Sequence, residues 1–381
     1  MKRKSLLLIC MMAVISCFAA KITPAQQLVQ RMQKLQKHGY MYGHQDDPFY
    51  GISWQWEMNR SDTKELTGDF PGVMGFDLGG IEMGDAKNLD SVPFIRIHDE
   101  IIAHHKRGGI ITISWHPRNP LLGTTAWIES DVKAYDAAVA ALNGVGRSDL
   151  VAQIDNPKST VASILRGGKC YDKFQLWLKR VADFMLTLKD EKGNPVPVIF
   201  RPWHEYNGAW FWWGKDNCSA QQYKDLWNMT QDYMNEKLPG SIVWSNSPNL
   251  QGTHTLAEFL ERWPGDERVD ILGEDAYQWG TEEDFKKGLD ADLAFMTEYA
   301  SQHGLLLALT ECGYQNSPDA TWWTRVLKPI MDKYPVCYFL PWRNWPAEHF
   351  GAAKELGTAD DFLKLYKAKN TLFLNEIKKV K

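Results

Sequence analysis

Short runs of β-branched and apolar residues recur eight times along this chain, each followed by polar or aromatic residues and then by a helical stretch. The runs are residues 40–44, 72–77, 110–116, 197–203, 241–246, 269–273, 305–310 and 336–340. Between them lie helical patterns such as 92–106, 171–189, 220–237, 282–303 and 321–333, several behind a capping residue: Ser219, Thr281 and Asp319. Continuous apolar strands alternating with helices specify a parallel sheet buried on both faces. Eight such units predict an α/β fold, a single (β/α)8 or TIM barrel. No Gly-rich phosphate loop follows the first run, so an open dinucleotide-binding sheet loses its main support. The stretch from His116 to Pro195 is too long for one βα unit. It predicts a long insertion after the third strand, with one helix over 131–142.

The first residues have a different character. Lys2, Arg3 and Lys4 precede an apolar stretch from Leu6 to Phe18, followed by Ala19 and Ala20. Residues 1–20 therefore read as a signal peptide and 21–381 as one barrel domain. Val14-Ile15-Ser16-Cys17 also resembles a bacterial lipobox, which would leave a lipid anchor on Cys17; cleavage near Ala19 or Ala20 is the competing reading. Both predict export, to a bacterial periplasm, the extracellular space or the cell surface. No later segment reaches the length of an apolar membrane span. A net charge of −4 argues against a nucleic-acid partner. A monomer is expected. Of the cysteines, Cys170, Cys218, Cys312 and Cys337 lie beyond the leader. They read as four lone buried thiols, with a Cys170–Cys218 bridge as the alternative that export permits.

Catalytic groups of a barrel stand where its strands end. There the chain carries His44, Asp77, His116, Arg201 to Glu205, Asn246, Glu274 to Tyr277, Glu311, Trp342 and Arg343. Glu205 and Glu311 stand out, each directly after a strand and among aromatics. Glycosidic bond cleavage needs such a pair, one protonated to donate to the leaving oxygen and one ionised to attack or to activate water. Sugar rings have apolar C–H faces on which Trp and Tyr stack. The chain has seventeen Trp, and the run 203–213 holds Trp203, Trp210, Trp212 and Trp213.

Simpler readings compete. A lone Glu at a strand end often pairs with Arg, and Arg201 is available; two Glu at matching ends favour chemistry. His204-Glu205 would begin a zinc-protease motif only with His at 208, where the chain has Gly208. There is no G-x-S-x-G for serine hydrolysis. His98, His104 and His105 read as a surface-helix group without a carboxylate at ligand spacing. No metal and no cofactor are called for. Trp177 and Trp227 read as core, whereas Trp54, Trp56 and Trp279 either line a cleft or pack.

The segment Arg201-Pro202-Trp203-His204-Glu205 with Trp210 resembles the acid/base motif of glycoside hydrolase family 26, and Thr310-Glu311-Cys312-Gly313 resembles its nucleophile strand. Asp275-Ala276-Tyr277, Ser114-Trp115-His116 and Trp342-Arg343 fit further family positions, so the resemblance spans residues 40–350 in order. His204 is specific, since related barrels carry Asn before the acid/base Glu. The resemblance implies a retaining enzyme acting on β-1,4-mannosidic bonds of mannan or galactomannan. Glu205 would be the general acid and then the base, and Glu311 the nucleophile. It also implies that His116, His204, Trp210, Tyr277 and Trp342 contact sugar or the carboxylates, with Arg343 and Asp275 as orienting groups. A mannobiose-releasing exo mode, a mixed-linkage β-glucanase and a β-1,3-xylanase on the same scaffold stay open. A noncatalytic glycan-binding protein would want the aromatics but not both Glu.

Overall fold

The computed structural model describes residues 22–252 and 254–380. The leader and Cys17 lie outside the described residues.

The predicted strands form in order as β1 (Tyr40–Gln45), β2 (Val73–Asp77), β3 (Ile110–Trp115), β4 (Val198–Pro202), β5 (Ile242–Asn246), β6 (Ile271–Tyr277), β7 (Leu306–Gly313) and β8 (Val336–Pro341). Consecutive strands pair in parallel. β8 returns to β1, with Met41 opposite Tyr338, and closes the barrel. Parallel strands under helices are covered on both faces, so they lack the polar alternation of a half-exposed sheet. Every residue of these eight strands is buried except Tyr277, at the open end of β6.

β6 and β7 run further than the apolar runs suggested, to Tyr277 and Gly313. Asp275, Tyr277 and Glu311 therefore belong to strands rather than to the loops after them. The register slips between Glu274 and Asp275, so that Asp275 stands opposite Glu311. Such irregularities re-aim side chains at barrel rims.

The helices at Ala220–Lys237 and Glu282–His303 match the predicted limits, with Ser219 and Thr281 capping their first turns. The 321–333 stretch instead begins as a π-helical turn over Trp323–Leu327. The insertion after β3 carries the expected helix, at Glu129–Gly144.

The helix at Pro24–Gln36 was missed by the alternation argument because it precedes β1. Thr23 and Gln26 form a capping box at its start. Its Leu28, Met32 and Leu35 pack with Met41, Val73, Ile110, Ile199, Val243 and Ile271. Those six stand at the early ends of their strands, so this helix plugs the base of the barrel. The mouth is left to the other end. Near the C-terminus, Thr371 and Leu372 add a short parallel strand beside β1.

Two expectations about packing need correction. His104 is fully buried rather than on the surface, wedged against Gly109. Burial depresses its pKa to about 3, so it is neutral. Trp203, Trp212 and Trp213 are also buried, and belong with Trp177 and Trp227 to the core. All four cysteines are unpaired, with Cys170 half-buried and the other three buried.

Candidate active site

β4 delivers the first carboxyl. Beyond Pro202 the chain turns through left-handed backbone at Trp203 (φ 54°) and Glu205 (φ 51°). This is costly for residues with a Cβ and persists only where the surroundings enforce it. Trp203 and Trp213 do so here. Trp203 sinks into the core with its indole N–H on Thr230, and Trp213 donates to the His204 carbonyl at 2.8 Å. The Glu205 amide is tied to Ser247 O at 2.7 Å. Thus Trp203 and Trp213 shape the turn at Glu205, and of the four tryptophans in 203–213 Trp210 lines the cleft.

Trp210 donates its indole N–H to Oε2 of Glu205 at 2.7 Å, and Asn249 donates its amide to Oε1 at 2.9 Å. Burial raises the Glu205 pKa to about 7, and the charge of Glu311 pushes the same way. The two hydrogen bonds pull it partly back. Glu205 is therefore protonated where an ordinary carboxyl is ionised.

Glu311 comes from β7. Tyr277 Oη donates to its Oε2 at 2.6 Å, and Arg201 donates to Oε1. Arg201 also donates to Asp275 at 2.7 Å. An oxygen each of Glu205, Asp275 and Glu311 lie within 4.8 Å of one another. The guanidinium between Asp275 and Glu311 supplies the positive charge such a cluster needs.

His116 and His204 form the opposite wall. Asp77 binds Nδ1 of His116 at 2.7 Å, and the Nε2 atoms of the two imidazoles are 2.9 Å apart. Burial opposes charge on His116, but Asp77 outweighs it and the pKa is raised. Burial and the neighbouring Arg201 hold His204 well below its ordinary value. The contact between the two Nε2 atoms joins the rings, and Nδ1 of His204 is buried without a hydrogen-bond partner.

The cleft between these groups has a volume of about 480 Å³ and is walled by Trp127, Trp210, Trp279, Trp342, Phe211 and Phe350. Trp279 stacks on Tyr277 with ring centroids 5.4 Å apart, and Trp127 stacks on His116 at 5.5 Å. These two are the exposed rings, at 57% and 43%. Of the three uncertain tryptophans, Trp279 lines the cleft, Trp54 is buried on Asp62, and Trp56 is exposed outside it.

Glu205, Glu311, His116, His204, Trp210, Tyr277 and Trp342 all line one cleft. Asp275 does not reach it. Its side chain is fully buried, its oxygens taken by Arg201 and by Thr310 at 2.7 Å, so it supports the site from beneath. Arg343 pairs with Asp90 at 3.6 Å and Glu348 at 3.7 Å, beside the cleft rather than on its wall. Sequence reasoning missed Asn249, Gln251 and Trp127, which sit on loops and in the insertion, where no periodicity marks them. Asn246, read as a strand-end candidate, is buried and donates to Tyr223.

Two carboxyls in unlike settings, facing one aromatic cleft at the mouth of a (β/α)8 barrel, put this protein among the glycoside hydrolases. The comparisons narrow the class. The family model for glycosyl hydrolase family 26 matches residues 19–355, and the chain belongs to that family. A family 26 β-mannanase from Bacteroides ovatus superposes with a TM-score of 0.83 at 40% identity, covering 93% of this chain and 97% of that one. The catalytic domain of an endo-β-1,4-mannanase from Bacillus sp. JAMB-750 gives 0.79 at 26% identity, covering 93% and 92%. A mannan endo-1,4-β-mannosidase of Bacillus subtilis is 28% identical over 76% of this chain and 71% of its own length. One from Bifidobacterium adolescentis is 27% identical over 75% of this chain, which spans only 28% of that longer protein.

Proposed function

We propose that the protein is a retaining mannanase that cleaves β-1,4-mannosidic bonds in two displacements. The observation that carries this reading is the pair itself. An oxygen of Glu205 lies within 4.8 Å of one of Glu311, and the Glu205 pKa is raised to about 7. Retaining pairs are about 5–5.5 Å apart, whereas inverting pairs need about 6.5–9.5 Å to admit water.

In the first step the Glu311 carboxylate attacks the anomeric carbon while Glu205 gives its proton to the departing oxygen. The product is an ester between Glu311 and the sugar, with inverted configuration. Esterification removes the charge on Glu311 that helped to raise the Glu205 pKa, so Glu205 becomes a better base. It then takes a proton from water, which attacks from the opposite face and restores the β configuration. Tyr277 and Arg201 hold Glu311 in line, and the aromatic walls take the sugar faces.

Mannan as the polymer is supported by the names of the relatives, and the exposed rings of Trp127 and Trp279 on the cleft suit stacking on sugars. NMR of the first product tests the mechanism: an initial β-anomer is expected, and an initial α-anomer would overturn retention. A product time course on mannan, galactomannan, β-1,3-xylan and lichenan tests the substrate. A rapid viscosity drop on mannan indicates endo action, mannobiose alone from the start indicates the exo mode, and release only from lichenan or xylan overturns the mannan reading.

A further inference from the structure

The acid/base has a holder that is itself held. Asn249, which donates to Glu205, stands at the head of a tight loop after β5. Asn207 grips it from the β4 side, accepting the Asn249 amide at 2.7 Å and donating to the Asn249 carbonyl. Gln251 donates to the Asn249 side-chain oxygen at 2.6 Å, which leaves the Asn249 NH2 turned to Glu205. This loop pays for its shape with left-handed backbone at Gln251 (φ 53°) and Gly252 (φ 70°).

Two carboxyls outside the cleft secure the strained segment. Oε1 of Glu274, on β6, accepts the Leu250 amide at 3.0 Å. Oδ2 of Asp292, on the helix Glu282–His303, accepts the Gly252 amide at 2.5 Å. Gly288 of the same helix packs so tightly that a Cβ on Gly252 would come within 2.4 Å of its Cα. Glu274 and Asp292 are 0% and 1% exposed, and each has a second oxygen without a hydrogen bond, Oε2 and Oδ1. Among the described residues no basic side chain pairs with either. The charged or titratable groups that act on Glu274 are Asp292, Asp275 and Tyr206, all acidic. Two bare carboxylates cannot stand together in such surroundings, because burial and mutual repulsion both disfavour the second charge. Burial pushes Asp292 up to about 7 and Glu274 well above its ordinary value.

We infer that Glu274 and Asp292 are positioning residues: they clamp residues 250–252 and thereby fix the Asn249 amide on Glu205. This rests on the reading of Glu205 as the acid/base. Neither carboxyl touches substrate, so the effect travels through the loop and is read at Glu205.

The test compares Glu274→Gln, Glu274→Leu, Asp292→Ala, Asn249→Ala and the double variant Asn249→Ala/Glu274→Leu. Glutamine keeps an acceptor for the Leu250 amide, so Glu274→Gln should keep kcat and the pH profile. Glu274→Leu and Asp292→Ala should lower kcat about tenfold with little change in KM, the lower end of the scale for losing one hydrogen bond to a charged group. Losing the Asn249 bond raises the Glu205 pKa, so the basic limb of kcat/KM should move to higher pH. Asn249→Ala should show the same shift, and the double variant should lose no more than Asn249→Ala alone.

The Glu205 titration, followed by carbon-13 NMR of labelled carboxyls with Glu205→Gln for assignment, needs no substrate. It tests the clamp even if mannan is not cleaved, so failure of the substrate reading is seen separately. An unmoved Glu205 titration in Glu274→Leu, or in Asp292→Ala should the leucine variant not fold, overturns the inference. Multiplying losses in the double variant, or a Glu274→Gln as damaged as Glu274→Leu, also overturn it.

Discussion

Tyr277 Oη donates to Oε2 of Glu311 at 2.6 Å, while the back of the Tyr277 ring carries the exposed indole of Trp279. One residue thus joins the carboxylate proposed to attack with an exposed ring on the cleft. A hydrogen bond to a charged group contributes about 1.5–3 kcal/mol. Tyr277→Phe should therefore lower kcat by about 10–100-fold with the fold intact. Steady-state rates across pH check this, and an unchanged kcat would remove Tyr277 from the mechanism.

The pKa of Glu205 sets the other limb. As the proposed acid, Glu205 must be protonated in the free enzyme, and its pKa is raised from 4.5 to about 7. Activity as kcat/KM should fall above about pH 7. Glu205→Ala should lose that limb, and should retain the first step on aryl mannosides whose leaving group needs no proton. If the variant were equally slow on activated and natural substrates, Glu205 would not be the acid.

The same shift has a stability consequence. Folded Glu205 holds its proton more tightly than unfolded Glu205, so its contribution is present in full below 4.5 and is lost as pH rises toward about 7. Glu205→Gln removes the buried charge. Its Tm should exceed that of the wild type at pH 8, and the gap should close as the pH approaches 4.5. Calorimetry at both pH values decides; an equal Tm throughout would mean that Glu205 is well solvated.

Asp77 and His116 form a buried pair at 2.7 Å. Removing one partner of such a pair costs about 3–5 kcal/mol, because the other is left charged and unpaired. Asp77→Ala should destabilise on that scale. The Asp77 pKa is lowered and that of His116 raised, so the attraction is present above the ordinary carboxyl range and lost as pH rises through the His116 value. Denaturant unfolding across pH should show the gap between wild type and variant narrowing in alkali. A constant gap would assign the cost to the Asp77 hydrogen bonds with Ser114 and the Gly79 amide.

The barrel was legible because parallel buried strands leave continuous apolar runs, and helix caps such as Ser219 leave local marks. Glu205 and Glu311 were legible because chemistry collects where strands end. The Trp203–Trp213 run was misread in part. The left-handed backbone at Trp203 and Glu205 folds that run inward, and nothing in local composition reveals such a turn. Asn249 was invisible because its place depends on Glu274 and Asp292, which come from other elements. Asp275, expected as an orienting group, is set opposite Glu311 by the register slip beside Glu274, which no local sequence pattern reveals.

The helix Pro24–Gln36 closes the base of the barrel, and Ile22 and Thr23 lead into it on that side. The molecule is therefore built like a cup whose handle is fixed to its underside. Coupling to a bead, a lipid layer or another protein through the residues before Thr23 would leave the rim facing outward. A polymer chain could then lie across Trp127 and Trp279 without meeting the support.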